Sequence, residues 1–204
     1  MQVCNFYLLR HGKVEGEPAL NGHTDCKVDP AVQQKISQAL CNQAIPFDHI
    51  ISSPLRRCAD LAALLKEDQP TLKMIINNQI QEMSFGTLDG KAFETIKDQW
   101  PLLDAFWQNP AKNTLPQGET LNEFQNRIIS AWSEIIKTNN KNTLIITHGG
   151  VIRMLLADAL QVDWKKPAWH SNLAIGNASL THIQISKADR YYISVKSIAV
   201  DLLR

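Results

Sequence analysis

Few cysteines, almost no net charge and no long apolar run: each of these shortages removes a class of protein. The four cysteines, Cys4, Cys26, Cys41 and Cys58, are scattered. There is no Cys-x-x-Cys pair and no Cys/His cluster at zinc spacing, so neither a disulfide framework nor a zinc site is expected. Reduced thiols in a cytoplasmic protein are the plain reading. Twenty-one Lys and Arg against 20 Asp and Glu leave a formal charge of +1, which predicts no nucleic-acid surface and no membrane patch. No apolar stretch approaches the ~20 residues of a membrane span. Met1 to Leu9 lacks the basic start and small-residue cleavage site of a secretory signal. Internal repeats and low-complexity tracts are missing too. What remains is 204 residues, 44% of them hydrophobic, which suits a single domain over 1–204 with a full core.

Strand and helix signals alternate along the chain. Val3–Leu9 reads as a first strand, and Asp29-Pro30 as a helix start running to about Asn42. Phe47–Ser52 is a second apolar run, followed by a helix opening at Ser53-Pro54. Leu72–Ile76 and Asn142–Thr147 are two more strands, the latter leading through Gly149-Gly150 into a helix over Val151 to about Leu160. Ser179–Ile185 and Tyr191–Ser197 predict a closing hairpin. Repeated strand–helix units imply an α/β three-layer sandwich, with a mostly parallel sheet and helices on both faces. Between about Phe85 and Asn139 no strand is evident; Ala92–Trp100, Leu102–Gln108 and Thr120–Asn139 read as helices. We expect a helical insertion there, over the carboxyl edge of the sheet.

Chemistry-bearing residues fall where these elements end. Arg10-His11-Gly12 follows the first strand, and Arg56-Arg57 lie in the first turn after the second. Glu82 stands beyond the third, and His148-Gly149-Gly150 follows the fourth. In a parallel sheet all of them converge on the carboxyl edge, where ligands bind in open α/β folds. Two histidines, one or two arginines and a carboxylate in one crevice suit phosphoryl transfer without a metal.

These pieces resemble the histidine phosphatase superfamily, also called phosphoglycerate-mutase-like. The matching segments are Leu9-Arg10-His11-Gly12, Ser52-Ser53-Pro54-Leu55-Arg56-Arg57, Glu82-Met83-Ser84-Phe85-Gly86 with Gly90, Gln117-Gly118-Glu119-Thr120, and Thr147-His148-Gly149-Gly150-Val151-Ile152-Arg153. They keep the family's order over nearly the whole chain. The resemblance implies that His11 attacks phosphorus and becomes a phosphohistidine. It implies that Arg10, Arg57 and His148, with Gly149, hold the phosphoryl oxygens. Glu82 would protonate the leaving oxygen and later deprotonate water. Asn21 and Gly22 match a polar-plus-glycine pair that touches the phosphoryl group in relatives. No cofactor and no metal is implied.

Several of these positions have a neighbour that could take the same role. The motif turns Arg57 inward rather than Arg56, leaving the other a solvated charge. Asp89, Glu94 and Glu119 compete with Glu82 as the acid but read as surface charge, Glu119 alternatively as a helix-end carboxylate. His23, His49, His170 and His182 match no motif position. Trp100, Phe106 and Trp107 could line a substrate cleft, though packing of the insertion is the plainer role. His11 must be neutral to attack, whereas His148 serves best charged. Imidazoles ordinarily titrate near ~6.5, so the pocket must push the two apart or share one proton between them.

Met83 and Phe85 stand where the mutase branch carries residues that grip a substrate carboxylate, so hydrolysis is favoured over transfer. The segment Arg10-His11-Gly12 through Glu15-Gly16 to Gly22-His23-Thr24-Asp25 looks most like bacterial α-ribazole phosphatases, which act on a nucleoside-like 5′-phosphate of cobalamin assembly. The expected partner is a small phosphorylated substrate, and a homodimer stays open. A broad phosphatase of sugar or nucleotide monophosphates, and a phospho-ligand binding module without turnover, are the alternatives.

Overall fold

The computed structural model describes residues 2–204. Six strands form one sheet in the order β3-β2-β4-β1-β5-β6. These are β1 (Gln2–Arg10), β2 (His49–Ser52), β3 (Lys73–Ile76), β4 (Thr143–Thr147), β5 (Ser179–Lys187) and β6 (Tyr191–Asp201). The first four pair in parallel, and β5 and β6 add an antiparallel edge.

Alternation along β1 explains the two layers of helices. Phe6 and Leu8 face one core, packed with residues of α4 (Leu121–Thr138) and α5 (Gly149–Leu160). Tyr7 and Leu9 face the other, against α1 (Pro30–Asn42) and α2 (Arg56–Asp68). Successive side chains of a strand point to opposite faces, so a sheet covered on both sides needs a continuously apolar strand. That is why β1 and β4 read as apolar runs rather than as alternating ones. Among the described residues no helix is long and apolar enough to cross a membrane.

Asp29 caps α1 as its position suggested, accepting the Ala31 N–H at 2.7 Å. Three expectations needed revision. The helix after β2 starts at Arg56 rather than at Ser53-Pro54, and Leu55 caps it with no side-chain bond. The Ser53 hydroxyl is engaged elsewhere, 2.8 Å from the His148 ring. Ala92–Trp100 forms two separate 3₁₀ turns, Phe93–Thr95 and Lys97–Gln99, broken at Ile96. There Phe93 stacks on Trp100, the ring centroids 6.0 Å apart, and side-chain packing replaces helical continuity. Lastly, α4 is a layer of the sandwich rather than part of a covering insertion, since its Trp132 meets Phe6 of the central strand edge-on at 5.0 Å. The short helix α3 (Trp100–Gln108) and the turns before it do lie over the carboxyl edge, where Phe106 and Trp107 share a cavity with Glu82 and Gly150.

Candidate active site

Sheet register assembles the site. Arg10 pairs with Thr147 across β1 and β4, so the residues that follow, His11 and His148, leave the sheet side by side. The His11 N–H donates to the Thr147 carbonyl at 3.1 Å, and the Ser53 N–H to that of Ile146 at 3.0 Å. The two imidazoles meet with ring centroids 5.2 Å apart. Backbone pairing thus brings together two side chains separated by more than 130 positions.

His11 is 7% exposed, and its Nδ1 lies 2.8 Å from the Gly12 carbonyl oxygen. A carbonyl only accepts, so Nδ1 carries the proton and the Nε2 lone pair is free. Burial, then the Arg57 charge, push the His11 pKa down to about 3, against the Gly12 carbonyl, with Arg10 adding to the depression. The ring is therefore neutral and of defined tautomer, with Nε2 unprotonated.

His148 is fully buried, and its Nδ1 receives the Arg57 Nε–H at 3.2 Å. An arginine cannot accept, so the His148 proton sits on Nε2 and donates to Ser53 Oγ. Burial first, then the neighbouring His11 and Arg57, hold this imidazole well below its ordinary range. The expectation that His148 is a charged donor, its titration pushed away from that of His11, does not hold. Both rings are depressed because both are stripped of water beside guanidinium groups.

Arg57 is completely buried, whereas Arg56 is exposed and pairs loosely with Asp60 at 3.4 Å. Besides His148, Arg57 donates to the carbonyls of Thr24 (2.8 Å), Asn21 (3.0 Å) and Gly22 (2.6 Å). Asn21 and Gly22, expected to touch a phosphoryl group, thus present carbonyl oxygens to Arg57 instead. The Gly22 N–H is held by Asp89 Oδ1 at 3.0 Å, and the Asn21 side chain accepts from Cys26 Sγ. A Cβ on Gly22 would lie 2.2 Å from the Met83 carbonyl, so only glycine permits this approach. Arg10 donates through Nη1 to the Ile175 carbonyl, and its buried Nε has no partner among the described residues. That orphan donor lies 3.5 Å from where a Gly149 side chain would begin, at the amino end of α5. A buried unpaired N–H beside a helix N-terminus is the chemistry of an anion site.

Glu82 faces the same helix end, its Oε2 accepting the Gly150 N–H and its Oε1 the Met83 N–H, both at 3.0 Å. A Cβ on Gly150 would fall 2.3 Å from Glu82 Oε1. Gly150→Ala should therefore displace the carboxylate and lower kcat at least about tenfold, with the fold retained by circular dichroism. An unchanged kcat would mean that the placement of Glu82 is unimportant.

Sequence reasoning missed the residues that hold this arrangement. Asp89, a surface charge by its sequence, accepts from the N–H groups of Gly22, His23, Thr24 and Phe85 and from the Thr24 hydroxyl. Burial raises its pKa, but these hydrogen bonds outweigh that, and the carboxyl titrates below its usual range. Arg127 grips Glu119 at 2.8 and 2.7 Å and donates to the carbonyls of Gln79, Gln81 and Glu82. Glu119 is hence a clamp for the Glu82 segment, while Thr120 caps α4 in a capping box with Glu123. His23 also donates to the Glu82 carbonyl, at 3.0 Å. Among the described residues no group of three His, Cys, Asp or Glu could hold a metal ion.

The depressed histidines carry a consequence for stability. In the unfolded chain His11 titrates near ~6.5, and folded at about 3. Between those values the unfolded chain binds more protons, so stability contributed above pH ~6.5 is lost as pH falls toward 3. His148 shifts in the same direction. The urea midpoint should fall from pH 7 to pH 5, and the fall should be smaller in His11→Asn; an equal fall in both would remove His11 from the linkage.

Comparison with known proteins accords with this geometry. The model of the family "Histidine phosphatase superfamily (branch 1)" matches residues 6–197. Putative phosphoserine phosphatase 2 of Hydrogenobacter thermophilus is 28% identical over 202 residues, covering 92% of this chain and 94% of the relative. Adenosylcobalamin/alpha-ribazole phosphatase of Salmonella typhimurium is 26% identical over 178 residues, covering 83% and 86%. The structure of the mycobacterial glucosyl-3-phosphoglycerate phosphatase shares the fold at TM-score 0.82 and 20% identity, over 98% of this chain and 100% of that one. The chain belongs to the histidine phosphatase superfamily, branch 1, and is a phosphatase.

Proposed function

We propose that this phosphatase hydrolyses small phosphate monoesters without a metal, by way of a phosphohistidine on Nε2 of His11. The observation that carries the reading is the His11 tautomer: Nδ1–H is tied to the Gly12 carbonyl, which leaves the opposite nitrogen unprotonated inside a cationic cup. In the first step the Nε2 lone pair bonds to phosphorus and the ester P–O bond breaks. The proton of Glu82 passes to the departing oxygen, and the alcohol leaves. In the second step water attacks the phosphorus, Glu82 takes a proton from it, and the P–N bond breaks. Inorganic phosphate and the neutral imidazole result, and Glu82 is again protonated.

The scale of the task tells which groups must contribute. Enhancements of monoester hydrolysis reach ~10²¹-fold, about 29 kcal/mol at 1.36 kcal/mol per tenfold. General acid–base help supplies only about 10²–10⁴ of that. Fixed positive charge around the transferring oxygens must therefore contribute heavily. Arg10, with its unpartnered Nε, is the first candidate. Arg57 and the amino end of α5 at Gly149 are the next. His148, expected to hold the phosphoryl oxygens itself, has both ring nitrogens engaged by Arg57 and Ser53, and acts in this reading by orienting the Arg57 guanidinium. Asn21 and Gly22 act in this reading by holding Arg57 rather than by touching substrate.

For the natural substrate we favour α-ribazole 5′-phosphate. Its support is the Arg10–Asp25 segment and the Salmonella relative named for that activity. Met83 and Phe85 offer no cation to a substrate carboxylate, which argues against mutase chemistry. The test is a panel of phosphate monoesters, including α-ribazole 5′-phosphate, sugar phosphates and nucleotides, compared by kcat/KM with EDTA present. The reading expects full activity in the chelator and the highest value for the ribazole ester. Loss in EDTA restored by a divalent ion would overturn the mechanism, and a sugar phosphate ranking first would overturn the substrate.

A further inference from the structure

Beside the cationic cup the structure opens into a cavity of about 290 Å³. Its charged members stand at the end nearest the cup. Glu82 is bonded to Gly150, and the Arg153 guanidinium lies with that of Arg10 about 3.6 Å from the same point at Gly149. Arg153 Nε is held by the Leu173 carbonyl at 2.9 Å. Beyond this boundary the wall is apolar, formed by Leu20, Met83, Phe85, Phe106, Trp107 and Phe124. Its polar members have their donors engaged within the protein: His170 Nε2 lies 2.7 Å from the Trp164 carbonyl, and the Ser171 hydroxyl 2.9 Å from the Asn172 side chain.

The rings of this wall are mutually supported. Phe106 meets Phe85 edge-on at 6.1 Å, and Trp107 packs against Phe93 and Trp100 at 6.1 and 5.8 Å. Trp107 remains 41% exposed. Away from Arg153 such a wall replaces little of the hydration that a sugar would lose on entering, and an unpaired polar group is costly to bury. Ring faces and aliphatic carbon instead reward an apolar ligand roughly in proportion to the area covered. The volume is near the lower end of ordinary ligand sites, about 300–1,000 Å³.

We propose that this cavity receives the leaving group, and that the preferred substrates are monoesters whose alcohol carries a planar apolar group. The inference rests on the phosphomonoesterase reading above and adds to it the chemical class of the alcohol. Trp107 and Phe106 are then specificity-determining residues, acting on the leaving group rather than on phosphorus.

A matched series tests it: ethyl phosphate, 2-phenylethyl phosphate and 2-(1-naphthyl)ethyl phosphate. All are primary alkyl esters, so leaving-group basicity stays nearly constant and differences in kcat/KM report recognition of the alcohol. The specificity constant should rise along the series by about 100-fold in total, in the range that added apolar contacts give in hydrophobic pockets. In Trp107→Ala the naphthyl-to-ethyl ratio should drop to about tenfold or less; a thermal melt checks the fold. Turnover with a ratio within threefold across the series, or a ratio unchanged in Trp107→Ala, overturns this inference alone. No turnover of any ester overturns the hydrolytic reading and this inference with it.

Discussion

His11→Ala should lower kcat/KM for any phosphate monoester by at least about 10⁴-fold, the scale seen when a covalent nucleophile is removed from an assembled site. The expectation follows from geometry rather than from the residue type. No other ring in the cup presents a free nitrogen lone pair: His148 accepts from Arg57 on one side and engages Ser53 on the other. Water attacking directly would still meet the guanidinium groups and Glu82, so residual hydrolysis above the uncatalysed rate is expected. The variant should fold, because the lost contacts are one hydrogen bond to Gly12 and the edge of His148. Kinetics and a thermal melt on the same preparation decide it. A loss of less than tenfold in a folded variant would show that phosphorus does not pass through His11.

Arg57→Ala should cost about 10²–10³ in kcat, as for a preorganised donor to transition-state charge. It should also lower the melting temperature. Truncation leaves the carbonyls of Asn21 and Gly22 and the His148 ring without their donor, while the Thr24 carbonyl keeps the Cys26 N–H, and each buried acceptor left unpaired costs about 1–3 kcal/mol. Arg57→Lys should recover little of either, because an ammonium cannot span four acceptors laid around a planar fork. Arg56→Ala provides the contrast: this exposed side chain, whose one ion pair among the described residues is with Asp60 across 3.4 Å, should leave rate and stability nearly unchanged. Were Arg56→Ala the damaging variant and Arg57→Ala harmless, the assignment of the inward arginine would be reversed.

The gap between what was readable and what was not has a physical pattern. The end of β1 was legible because an apolar run stopping at Arg-His-Gly has few structural uses. The inward turn of Arg57 was legible only through the motif; in the fold, adjacent helical residues point about 100° apart, so one of the pair had to face solvent. The α/β alternation and the antiparallel closing hairpin were carried by periodicity. Asp89, Arg127 and Ser53 were not legible, because their partners are backbone groups or rings distant in sequence, such as Gly22, which is 67 positions from Asp89. Nothing local marks a carboxylate that will gather N–H groups from another loop. The tautomers of His11 and His148 were hidden for the same reason: each is fixed by a contact that exists only after the sheet pairs. At Ala92–Trp100 helical periodicity misled, since its apolar side chains serve an aromatic cluster rather than a helix face.

The covalent intermediate tests the central claim most directly. The protein is mixed with a monoester bearing radiolabelled phosphate, quenched within the first turnover, and the labelled residue and ring nitrogen are identified by mass spectrometry and phosphorus NMR. Our account predicts acid-labile, alkali-stable phosphate on Nε2 of His11 and none in His11→Ala. Label on another residue or on Nδ1, or steady turnover with no phosphorylated imidazole at any time, would contradict it.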